Sequence, residues 1–204
     1  MISEVWETGF DIAIVIESVS GLITHFPAKE PFAGYGGWSV LSHNGKVDSG
    51  WNEEAVVLNE QGEMDMLESA KKIQELQLPK SKEHIQPTPF LTEPLKKIVE
   101  QVSEKGLKPC RVRLSRLKAG STLYWHQDER SDVYCVRLHI PLITNSKCFF
   151  ETEEGKEHFA ANGNAYFVKV NVRHRVINQG TTDRIHIIMD VRDELNFTQH
   201  HRYY

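Results

Sequence analysis

The chain predicts a mainly β fold, a sandwich or jelly roll with helices packed outside one sheet. Three observations predict it. From residue 109 to 192, short strand-like stretches recur at regular spacing between turn signals. Helix-like patterning is confined to residues before 109. The last strand-like stretch, Arg184–Val191, alternates an apolar row (Ile185, Ile187, Met189, Val191) with a row of Arg184, His186, Ile188 and Asp190. One of its faces belongs in a core, and the other is expensive to bury unless it binds something.

The 204 residues fit one domain, with 1–108 supporting a β core at 109–192. In order, Asp11–Ser18 reads as a strand and 27–37 as a loop rich in proline and glycine. Trp38–Ser42 alternates as a strand, and Asn44-Gly45 is a turn. Met64, Leu67, Ile73 and Leu76 among charges predict an amphipathic helix over Leu58–Leu76, ended by Pro79. Thr92-Glu-Pro opens a second helix, Leu95 to Ser103, with Gly106 beyond it. Strands follow at Cys110–Leu117, Thr122–Trp125 and Val133–Ile140, then a loop from Pro141 to Asn145. The remaining strands are Lys147–Thr152, Ala165–Val170, Arg173–Asn178 and Arg184–Val191.

Composition narrows the function. Forty per cent hydrophobic and 25% charged is ordinary for a soluble domain, and the net charge of −4 offers no basic footprint for nucleic acid. The apolar run Ile12–Ile16 is too short for a signal sequence or a membrane span, so no membrane is expected. Cys110, Cys135 and Cys148 lack a CxxC pair and read as reduced thiols in the cytoplasm.

The chemistry starts at Trp-His-Gln-Asp, 125–128. On an extended segment His126 and Asp128 leave the chain on the same side. With His174 they make a two-histidine, one-carboxylate face suited to ferrous iron with open positions opposite. Arg173 and Arg175 flank His174 and should oppose its protonation, which leaves the neutral ring that a metal needs. Arg184 could hold a dicarboxylate bidentately. Arg137 and His139 form a second polar row on the strand after the His-x-Asp pair. Trp38, Arg111, Arg113, Tyr124 and Trp125 are candidates for substrate contact, Arg111 and Arg113 through a substrate carboxylate. The tail Gln199–Tyr204 either folds over the pocket or frays.

Taken jointly, Lys118-Ala-Gly-Ser-Thr-Leu-Tyr-Trp-His126-Gln-Asp128, Arg137-Leu-His139-Ile-Pro-Leu, Gly163-Asn-Ala-Tyr-Phe, His174-Arg-Val-Ile-Asn178 and Arg184-Ile-His186 resemble the aspartyl/asparaginyl β-hydroxylase family. The resemblance covers residues 109–192. It implies a double-stranded β-helix, a cupin-like jelly roll, using Fe(II), 2-oxoglutarate and O2. It implies His126, Asp128 and His174 as metal ligands and Arg184 as the anchor of the distal 2-oxoglutarate carboxylate. Arg137, His139 and Ser121 would also contact the co-substrate. Vertebrate peptidyl members carry glycine where this chain has Asp128. The complete triad therefore resembles the free-amino-acid hydroxylases more, and the expected substrate is a free amino acid or a small derivative. The alternatives are a peptide side-chain hydroxylase of the same family and a non-catalytic, zinc- or manganese-binding cupin-like protein.

Overall fold

The computed structural model describes residues 2–32, 34–128 and 136–193. In chain order the elements are β1 (Ser3–Trp6), α1 (Ile12–His25), β2 (Lys29–Phe32), β3 (Tyr35–Ser39), β4 (Leu41–Ser42), α2 (Met66–Glu75), β5 (Gln86–Pro87) and α3 (Glu93–Glu104). Then come β6 (Leu107–Leu117), β7 (Thr122–His126), β8 (Val136–Ile143), β9 (Cys148–Thr152), β10 (Gly155–Glu157), β11 (Ala165–Lys169), β12 (His174–Asn178) and β13 (Arg184–Asp193).

A large sheet runs β1-β11-β8-β13-β6-β3-β2 and a small one β10-β9-β12-β7. From β6 onward the chain alternates between them, apart from the β9–β10 hairpin, and the pairs joining these strands within each sheet are antiparallel. This is the jelly roll expected from the strand spacing.

The large sheet has two different faces. Its outer face meets α1 and α3 in an apolar core that includes Val15, Val19, Leu95, Ile98, Val112, Leu114, Leu138, Ile187 and Met189. Its inner face meets the small sheet through Tyr35, Leu117, Tyr166 and Val168 against Leu123, Phe150 and Val176. The helices therefore do pack outside one sheet.

Several elements differ from the sequence reading. Asp11–Ser18 is not a strand but the start of α1. Its β-branched residues suggest a strand, yet Ile12, Val15, Ile16, Val19, Leu22 and Ile23 all face the outer core at helical spacing. Asp11 caps the helix, accepting from the Ile14 N–H at 3.2 Å. The 27–37 loop is instead β2 and the start of β3, so the segment before 109 extends the large sheet. Gly37 permits this: a Cβ there would lie 1.9 Å from the Leu114 carbonyl oxygen across the β3–β6 ladder. The helix expected over 58–76 forms only from Met66, behind the capping Asp65. Its apolar residues mostly face outward, Leu67 being 66% exposed.

β8 does not stop at Pro141. It runs to Ile143 because a register shift against β13 between Ile185 and His186 accommodates the proline, which has no N–H to donate. Cys110 and Cys148 are buried cysteines outside any disulfide. Cys135 and the tail 199–204 lie outside the described residues. No helix among the described residues is long and apolar enough to cross a membrane.

Candidate active site

The pair His126 and His174 meets across the small sheet. β7 and β12 pair His126 with His174 and Leu123 with Val176, so two residues of β7 (Tyr124, Trp125) stand opposite one of β12. This bulge lets Leu123 and His126, three apart, both face inward. The imidazole centroids are 4.2 Å apart. Asp128 follows the strand end, its N–H donated to the Val170 carbonyl at 2.9 Å, while Gln127 Nε2 ties the loop to the Asn171 carbonyl at 2.7 Å.

One ligand atom from each of His126, Asp128 and His174 lies within 4.8 Å of the others. Both histidines use Nδ1 toward a backbone carbonyl, Tyr124 at 2.9 Å and Val172 at 2.8 Å. That fixes the tautomer and frees Nε2 for a metal. Burial lowers both ring pKa values, that of His174 to about 3 with His126 adding to the effect. The arginines beside His174 in the sequence are not the cause. The guanidinium carbons of Arg173 and Arg175 each lie 4.7 Å from the Trp125 ring centroid. The donor set fits a divalent transition metal.

Asp128 sits in a buried ionic chain. Arg137 Nη1 lies 2.7 Å from Asp128 Oδ2, and Arg137 Nε donates to Asp190 Oδ1 at 3.0 Å. Asp190 Oδ2 in turn lies 3.0 Å from Arg111 Nε. Burial would raise the Asp128 carboxyl, but Arg137, His126 and His174 overcome it and hold the pKa at about 2. Arg137, expected beside a co-substrate, bridges two carboxylates through Nη1 and Nε, and its buried Nη2 has no partner among the described residues. Arg111, expected to grip a substrate, is committed to Asp190. Arg111 also has a left-handed backbone (φ 46°), at a register shift where β6 has one residue more than β13.

Arg184 opens β13 on the inner face and is buried. Its Nη2 donates to His186 Nδ1 at 2.7 Å and, at 3.5 Å, to His139 Nδ1. Among the described residues no carboxylate pairs with it, and its Nη1 has no partner. Since both histidines accept at Nδ1, each carries its hydrogen on Nε2, and both Nε2 atoms are buried without a partner among the described residues. Ser115, across the ladder from His186, has a hydroxyl in the same condition. Burial lowers the Arg184 pKa to about 10 and drives both histidines well below their usual range, with Arg184 contributing. The result is a group of unpartnered donors awaiting acceptors.

A family model described as aspartyl/asparaginyl beta-hydroxylase matches residues 40–194. The chain belongs to this family. It is an enzyme of the hydroxylase class, as the joint motifs imply. No curated protein matches this hydroxylase. Among solved structures, a 2OG-Fe(II) oxygenase family oxidoreductase from Burkholderia pseudomallei is 14% identical, covering 93% of this chain and 84% of that one, with a TM-score of 0.49. HygX from Streptomyces hygroscopicus, solved with nickel, 2-oxoglutarate and hygromycin B, is 12% identical with coverage of 95% and 83% and a TM-score of 0.49. A viral collagen prolyl hydroxylase from Paramecium Bursaria Chlorella virus-1, solved with 2OG, is 12% identical with coverage of 95% and 97% and a TM-score of 0.43. Similarity at this level carries nothing about individual residues.

The other expected contacts of the hydroxylase are scattered. Trp38 is 1% exposed in the outer core, stacked with Phe90 and donating Nε1 to the Phe26 carbonyl, so it is not a substrate contact. Tyr124 packs edge-on against His126 at 5.6 Å and Phe32 at 5.5 Å, at the mouth of the triad. Ser121 sits in the β6–β7 turn, its hydroxyl close against Gly34. Residues absent from the expected set also line the inner face. Tyr35 is buried in the inner core, edge-on to Trp51 at 5.9 Å between ring centroids. Trp51 stacks under Arg113, and Asp190 binds two arginines. The alternation of β13 already placed Asp190 on the polar row. Tyr35 and Trp51 carried no such signal.

Proposed function

We propose that the chain is an Fe(II)/2-oxoglutarate-dependent hydroxylase acting on a free amino acid or a small amino-acid derivative. Arg184 carries this reading: a buried guanidinium that has no carboxylate among the described residues, beside three further unpartnered donors, on β13 of the sheet that faces the triad strands. Zinc or manganese would also suit His126, Asp128 and His174, but a protein that only held such an ion would have no use for Arg184. Bound iron with 2-oxoglutarate supplies the oxidising power to hydroxylate an unactivated C–H bond, releasing succinate and CO2.

The protein's share is arrangement. His126, Asp128 and His174 would hold the metal on one side only. Arg184 Nη1, with the Nε2–H groups of His139 and His186, would bind the distal carboxylate of the co-substrate. Arg137 holds Asp128 in place through its 2.7 Å contact, which orients the carboxylate before metal arrives. Phe150, stacked on His174 at 4.8 Å, keeps water from that ligand's flank. The complete carboxylate triad favours a free amino acid over a peptide side chain, following the family resemblance.

The test is anaerobic addition of Fe(II) and 2-oxoglutarate, expected to give a weak charge-transfer band in the visible. Iron binding without the band would refute the reading. A succinate-release screen over free amino acids and short peptides, followed by product mass, then identifies the substrate by one added oxygen.

A further inference from the structure

We propose that Arg113 is the anchor for a carboxylate on the substrate, so that the substrate is a small molecule with a free carboxylate. The inference rests on the hydroxylase reading and adds a second anion subsite to it.

Arg113 lies on the inner face of β6, opposite Ile188 of β13. It is 5% exposed. Its guanidinium carbon stands 4.9 Å from the Trp51 ring centroid. Among the described residues its guanidinium makes one hydrogen bond, a long one from Nη1 to the Gly50 carbonyl at 3.5 Å, and its Nε has no partner. Trp51 Nε1 is likewise buried and unpartnered. A guanidinium held so far from water without an anion is costly, and an aromatic face offsets only part of that cost. Asp190 and Asp128 favour its charge from a distance, but their close contacts go to Arg111 and Arg137.

Charge and distance both call for a second anion. Four guanidiniums (Arg111, Arg113, Arg137, Arg184) face two carboxylates (Asp128, Asp190) among the described residues of this face. A divalent metal and a dianionic co-substrate cancel each other and leave the positive surplus in place. Arg184 stands opposite Leu117, four residues along β6 from Arg113. Their backbone levels are therefore about 13 Å apart. A five-carbon diacid bound at Arg184 and chelating the triad has no carboxylate left for Arg113. The group that reaches it belongs to another molecule.

The probes are the twenty standard L-amino acids and their C-terminal amides, titrated calorimetrically into the protein loaded with Mn(II) and 2-oxoglutarate. At least one acid is expected to bind about tenfold or more tighter than its amide. Arg113→Met should remove that preference, while Arg113→Lys, which keeps the charge, should retain part of it. Arg113→Met should also leave 2-oxoglutarate binding far less affected than Arg184→Met does. The inference is overturned if no acid is preferred to its amide, if the preference survives in Arg113→Met, or if Arg113→Met weakens 2-oxoglutarate binding as much as Arg184→Met. The Fe(II)/2-oxoglutarate band reports separately on the hydroxylase reading. A band without acid preference removes only the Arg113 subsite. An Arg113-dependent preference without the band leaves an anion site and removes the oxygenase chemistry.

Discussion

The two faces of β13 follow the same backbone and have opposite purposes. Ile185, Ile187 and Met189 point to the helices, and each is buried among apolar side chains. Arg184, His186 and Asp190 point to the small sheet and are just as buried among charges and imidazoles. The outer face gains from the removal of apolar area from water. The inner face loses hydration of charged groups and recovers it only through partners. A fold that keeps both faces dry must draw its stability from one and its chemistry from the other, so substitutions on the two faces should separate stability from function.

The largest effect is expected at the triad. His174→Ala should weaken metal binding more than about a hundredfold, beyond the loss typical of a supporting residue. Metal titration measures it, and succinate release should vanish with it. The metal-free protein should also lose about 1–3 kcal/mol of stability, because the ring packs on Phe150 and its Nδ1–H bonds the Val172 carbonyl. Unchanged metal affinity would mean that His174 is not a ligand.

Arg184→Met sharpens the contrast. Removing one partner of a buried charged contact weakens binding by roughly 2–5 kcal/mol, so 2-oxoglutarate affinity should fall at least about thirtyfold. The same substitution takes an uncompensated charge out of the interior, so the melting temperature without co-substrate should hold or rise. A marked fall in melting temperature would show that Arg184 is structural. Ile187→Ala is the mirror experiment on the other face. It should cost about 3 kcal/mol and lower the melting temperature by roughly 6–12 °C while leaving turnover at low temperature near that of the parent.

The contrast between the faces was readable in the sequence because β13 alternates strictly over its first residues. The same holds for His126, Asp128, His174 and Arg184, whose residue types and order carry the chemistry. What the sequence hid has physical causes. Bulges change which side a residue faces without leaving a residue signature: the one in β7 turns His126 inward, and the one in β6 sends Arg111 to Asp190. Helix α1 was concealed by β-branched residues whose preference tertiary packing overrides. Tyr35 and Trp51 reach the inner face from a hairpin and loop that looked like connecting chain. Nothing in one dimension shows that Asp128 and Asp190 close on Arg137 from two sides.

The smallest effect concerns buried imidazoles outside the site. His84 is fully buried against β6, where its carbonyl accepts from the Arg111 N–H, and burial with the nearby Arg111 lowers its pKa to about 4. In the unfolded chain the same ring titrates near 6.5. Between these values the unfolded state binds the additional proton, so stability falls as pH drops from about 6.5 toward 4 and is unaffected above that window. His126, His139, His174 and His186 are shifted in the same direction. Acid sensitivity therefore has two sources, the site and His84. His84→Leu should remove about 2 kcal/mol of the destabilisation at pH 5 and change nothing in metal affinity. Metal should do the reverse, holding His126 and His174 neutral and leaving the His84 share intact. Denaturation at pH 7 and pH 5, with and without metal and for parent and variant, separates the two. If metal binding and His84→Leu suppress the same part of the acid loss, the two histidine groups titrate as one unit and the separation of site from scaffold fails at that point.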